Sequence, residues 1–134
     1  MAPYRTWSVS VLTMAVFLLT AGLLSAQTAR TGRLMREKLQ HSQRILEALV
    51  TSNYGQLQRE TQALTNITRS PEWSELVKGD LRPYTSGFTK ALADLSAASE
   101  RRDYDAAGAS YNALTNACIA CHKQLMKSRI AGSR

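Results

Sequence analysis

Apolar residues in this chain recur every three or four positions and nowhere alternate, a period that confines the body to helices packed on helices. From Arg33 to about Val50, Met35, Leu39, Ile45, Leu46 and Leu49 form a stripe, with Arg36, Glu37, Gln40 and Gln43 between them. Ser52-Asn53-Tyr54-Gly55 has turn chemistry, and a second helix from about Gly55 to Thr68 carries Leu57, Leu64 and Ile67. Ser70-Pro71-Glu72 predicts a short helix, with Ser as cap and Pro in the first turn, ended by Gly79-Asp80. Its Trp73, Leu76 and Val77 give this connection enough apolar surface to fold over the end of a bundle. After Pro83, Tyr84, Phe88, Leu92 and Leu95 mark a third long helix. Asp103 then caps a fourth, on which Tyr104, Ala107, Tyr111, Leu114, Cys118, Cys121 and Leu125 share a face. Short links between such helices predict an all-α fold, an antiparallel four-helix bundle.

The 134 residues leave room for one domain. Arg5 precedes an apolar run from Val9 to Leu24, and Leu24-Ser25-Ala26 ends in residues a signal peptidase accepts. Residues 1–26 therefore read as an export signal and 27–134 as the helical body. A retained anchor is the alternative, because Thr6 to Thr28 holds no charge and is nearly long enough to span a bilayer. Arg30, Arg33, Arg36 and Lys38 follow closely and oppose export of their flank. In both versions the body lies outside the cytoplasm, in the periplasm, and touches a membrane only through an uncleaved N-terminal segment. Of 17 Lys+Arg only Arg5 precedes residue 27, and none of the 10 Asp+Glu does, so the mature body keeps a charge of +6.

Two cysteines cannot staple a small secreted scaffold, and these two stand three positions apart. Cys118-Ile119-Ala120-Cys121-His122 is the C-x-x-C-H pattern of covalent haem c attachment. Residues three and four apart lie on one helix face, so both thiols reach the two vinyl groups of one porphyrin edge and His122 presents its imidazole to the iron. Three other readings use the motif less fully. A disulfide would close a tiny loop and stabilise little. A thioredoxin-like pair needs a strand and a βαβ context that this chain lacks. Zinc needs a second ligand pair, and His41 is the only other histidine.

An exported four-helix chain with one C-x-x-C-H near its C-terminus resembles cytochrome c-prime and its relatives, the class II cytochromes c. The resemblance covers the mature chain as architecture, with specific matches at Cys118, Cys121 and His122 and a weaker one at Arg33-Leu34-Met35-Arg36. It implies one covalently bound haem c, with the first helix supplying the residue over the open haem face: an apolar side chain in some members, a methionine in a low-spin branch. Met35 is the methionine available for that role, since Met1 and Met14 lie in the export segment and Met126 sits on the helix of His122. The alternative for Met35 is core filling. His41, six residues on, points off the stripe toward an exposed polar role. The family commonly places an aromatic residue and an Arg at the third and fourth positions after the motif histidine. Leu125 and Met126 stand there instead and predict a more apolar proximal pocket.

With His122 and Met35 both bound, the iron has no open position and the protein is an electron carrier. With Met35 only packed, an open face lined by groups such as Leu39 suits nitric oxide or carbon monoxide, and the protein is a sensor or scavenger. No Ser/His/Asp set, carboxylate pair or phosphate-binding loop points to an enzyme. Dispersed positive charge in an exported chain argues against nucleic acid. Arg30, Arg33, Arg36 and Lys38 form either a solvated basic face or one that steers an acidic redox partner or rests on anionic lipid. A homodimer through the first two helices is what the resemblance adds.

Overall fold

The computed structural model describes residues 29–78 and 81–132. The export-signal segment, residues 1–26, lies outside the described residues. Among the described residues every regular element is a helix: α1 (29–50), α2 (Tyr54–Thr68), α3 (Pro71–Leu76), α4 (Arg82–Glu100) and α5 (Tyr104–Gly132). The all-α class and the helix order agree with the apolar periodicity. None of these helices is long and apolar enough to cross a membrane.

Two compact units divide the chain, Met1–Met35 and Arg36–Arg134. Of the first, the described part is the opening of α1, where Leu34 is buried and Met35 half-buried. In the second, α4 packs on α5 and α2 packs on α4. Side-chain bonds tie α1 to α2, where Gln56 Nε2 donates to the Arg44 carbonyl at 3.3 Å, and to α5, where the Tyr111 hydroxyl donates to the Ser42 carbonyl at 3.0 Å. The core is built from Ile45, Ala48, Leu57, Leu64, Phe88, Leu92, Leu95, Ala98, Ala107 and Leu114.

Two turns use one device. After α1, Asn53 N–H bonds to the Ala48 carbonyl and Ser52 N–H to Leu49; after α4, Asp103 N–H bonds to Ala98 and Arg102 N–H to Ser99. Each pair is the double bond of a Schellman ending, which needs a left-handed residue. Ser52 (φ 57°) and Arg102 (φ 55°) fill that place without glycine. The next residue caps the following helix: Asn53 Oδ1 accepts from Gln56 N–H and Asp103 Oδ1 from Ala106 N–H, both at 3.0 Å. Tyr54 and Tyr104 then stack with ring centroids 4.4 Å apart, and the Tyr54 hydroxyl donates to the Arg102 carbonyl. The two chain reversals therefore meet at one end of the unit.

His41 departs from its expected exposed role. It is half-buried, with Nδ1 2.7 Å from the Glu60 carboxylate, which also accepts from Arg44 Nε at 2.8 Å. Burial pushes the Glu60 pKa up, and the hydrogen bonds and charges of Arg44 and His41 outweigh it, leaving it below the ordinary 4.5. A carboxylate with a lowered folded pKa stabilises fully above its unfolded value and loses that contribution as pH falls through the folded one. Glu60→Gln should therefore cost about 1 kcal/mol at neutral pH, a modest figure because Arg44 is 42% exposed. The gap in thermal midpoint between variant and wild type should close on acidification below pH 4.5.

Candidate functional site

The inward face of α1 differs from the stripe expected from its leucines. Ile45 and Ala48 are buried, whereas Leu39 and Leu46 are 59% and 47% exposed. Lys38 takes an inward place: it lies seven residues before Ile45, two turns along the same face. Its amine stands 3.8 Å from the ring centre of Phe88 on α4 and 4.1 Å from that of Trp73 on α3. Two expectations are corrected. Lys38 is not part of a solvated basic face, because its stem runs inward and its charge rests on aromatic faces. Leu39 lines no interior surface, because it falls about a third of a turn from Lys38 toward solvent.

Trp73 is held here by its local sequence. Ser70 Oγ accepts from Trp73 N–H at 3.1 Å, and Pro71 starts the short helix, so the indole is delivered inward after one turn. It is buried at 6% exposure, 5.5 Å from the Phe88 ring at a tilt of 44°. Phe88 sits on the buried line Phe88, Leu92, Leu95 of α4.

Cys118 and Cys121 lie on α5 beyond Leu114 on the same face. Both are half-buried and both are free thiols. Burial raises the pKa of each; the Lys38 charge pulls both back down, and the neighbouring Cys121 adds to the rise at Cys118. Conversely, burial lowers the Lys38 pKa and the two sulfurs oppose that fall. The two thiols and the Lys38 amine thus influence one another's ionisation. No carboxylate pairs with Lys38 among the described residues.

His122, four residues after Cys118, is exposed, and its side chain has no hydrogen-bond or ion-pair partner among the described residues. Met126 is exposed at 64% and Leu125 at 38%. Leu125 thus leaves the inward face that its spacing predicts; the buried line of α5 turns through Cys121 to Gln124, whose side chain meets the Tyr84 hydroxyl at 3.4 Å. Met35 stands on α1 in the first unit, half-buried. Among the described residues no three His, Cys, Asp or Glu side chains gather as a metal cluster.

The donor set suits a porphyrin chemically. Two protonated thiols one turn apart can each add to a vinyl group, and a side chain with nitrogen lone pairs follows within one turn. Trp73 and Phe88 offer apolar ring faces on the inward side. The sequence reading missed Lys38, Trp73 and Phe88 as site residues. Their signal was a lysine in register with Ile45 on an otherwise apolar helical line. No protein family, curated protein or solved structure matches the chain.

Proposed function

We propose that the protein is an exported monohaem c-type cytochrome of the c-prime kind, a four-helix bundle that transfers electrons through a haem held by Cys118, Cys121 and His122, with Met35 as the second axial ligand. The observation that carries this reading is the pair of free, half-buried thiols of C-x-x-C-H one turn apart on α5, in line with buried Leu114. The bundle is supported by the succession of neighbours α1 to α2, α2 to α4, α4 to α5 and α5 to α1. His41, engaged by Glu60 and Arg44, is spoken for and leaves the methionine as the more available ligand. The bound haem supplies a one-electron iron couple. The chain supplies two covalent tethers, an imidazole, and an interior that keeps water away. Its positive charge favours acidic redox partners.

The second reading, a five-coordinate protein that binds nitric oxide or carbon monoxide, differs by the Met35 bond alone. Absorption spectra of the haem-loaded full chain in the ferrous state, with and without carbon monoxide, separate the two. The electron carrier should ignore the gas and its Met35→Ala variant should take it up. Uptake by the wild type would transfer the assignment to gas binding.

A further inference from the structure

The outward side of α5 carries a second apolar line. Ile119, Met126 and Ile130 stand at positions i, i+7 and i+11, within about 40° of one another around the helix and about 140° from fully buried Leu114. They are 48%, 64% and 58% exposed. Lys123 and Lys127 border the line on one side and His122 on the other, all three exposed. We propose that this face of α5 rests on the anionic surface of a lipid bilayer, with the apolar line sunk below the headgroups and the lysine amines on the lipid phosphates. The contact goes beyond the haem reading and does not depend on it, because Cys118 and Cys121 lie about 100° and 160° around the helix from Ile119.

Charge decides the sign of the surface. No Asp or Glu follows Asp105, whereas Lys123, Lys127, Arg129 and Arg134 all do. No carboxylate pairs with Lys123 or Lys127 among the described residues. An aliphatic line with lysines at its border is the pattern of a helix lying in a membrane interface: the long stems follow the apolar surface while the amines stay at the phosphates. Basic residues near an anionic leaflet each add to the attraction, and salt screens it.

Shape and composition favour lipid over protein. Gln124 meets Tyr84 in the first turn of α4, so α5 runs about 12 Å past that contact to reach Gly132. There Leu125, Met126, Lys127, Ser128 and Ile130 are exposed on every side of the helix. A convex helix end offers no groove to a protein partner. No Trp, Tyr or Phe follows Tyr111, so the aromatic anchors on which protein interfaces depend are missing from this face. α5 is not apolar enough to cross a bilayer, and it therefore lies on one. This is a contact of the folded body, additional to any made by an uncleaved N-terminal segment.

Amine labelling of the full chain, read residue by residue by mass spectrometry, tests the contact whether or not an N-terminal anchor is present. Vesicles of equal parts phosphatidylcholine and phosphatidylglycerol should slow the labelling of Lys123 and Lys127 by about five-fold or more relative to vesicles of phosphatidylcholine alone. Lys78 and Lys90, on other elements, should keep their rates. The double variant Ile119→Asp, Met126→Asp changes only exposed side chains and should lose the protection while keeping the far-ultraviolet helix signal. The wild-type comparison stands even if that variant fails to fold. Equal labelling of Lys123 and Lys127 on the two kinds of vesicle, or equal slowing of Lys78 and Lys90, overturns the proposal. Protection that survives in a folded double variant overturns the apolar contact. Protection by soluble polyglutamate as strong as that by the anionic vesicles overturns the lipid and gives the face to an acidic protein.

Discussion

Replacing Cys118 and Cys121 together with Ala should abolish covalent haem, so that the purified full chain, expressed with haem-attachment machinery, shows the mass of the polypeptide alone. Each thiol forms one S–C bond to a vinyl carbon and passes its hydrogen to the neighbouring carbon, so each lost cysteine removes one tether. Either single variant should keep haem through the remaining thioether, at lower yield, with the absorption shift of one unsaturated vinyl group. Both thiols stay protonated at neutral pH because burial raises their pKa values. Both are half-buried on one helix face, which makes the effects of the two single variants similar in kind. Covalent haem in the double variant would sink the attachment assignment. His122→Ala should separate tethering from ligation, keeping the haem mass while losing the low-spin spectrum.

Leu114→Ala should be the most destabilising of the single core truncations near the site, at about 2 to 5 kcal/mol. Leu114 is fully buried one turn before Cys118, so the lost methyl groups leave a hole under the segment that positions both thiols. Against a typical total stability of about 5 to 15 kcal/mol, that loss is severe. Urea titration should show a lower midpoint with an unchanged slope, since the change lies in packing and not in exposed surface. Leu125→Ala is the matched control: it deletes the same atoms from a residue 38% exposed and should cost about 1 kcal/mol or less. Equal losses at the two positions would mean that α5 does not bury the face described here.

The register of α4 was legible because Phe88, Leu92 and Leu95 are all buried on the line their spacing predicts. The start of α3 was legible because Ser70 and Pro71 act through hydrogen bonds and dihedral angles that involve only neighbours. Asp103 was legible as a cap for the same reason. On α1 the leucines misled. Leu39 and Leu46 pointed to one face, and the packed face turned toward Lys38, Ile45 and Ala48 instead. A helix with apolar residues spread over half its circumference has several similar stripes, and only the neighbouring helices select one. The left-handed turns at Ser52 and Arg102 were hidden because neither is glycine; their strain is held by paired turn hydrogen bonds and the Tyr54–Tyr104 stack.

By itself, then, the sequence determined what depends on near neighbours: an all-helical chain, its caps and breaks, and the spacing that sets Cys118, Cys121 and His122 on adjoining positions of one helix. Tertiary structure alone decided what depends on residues distant in the chain. It brought Lys38, Trp73 and Phe88 together from three helices, and it gave His41 to Glu60. The physical reason is that periodicity reports how much apolar surface a helix must bury. Where a long side chain such as that of Lys38 ends is set by the rings that receive its amine.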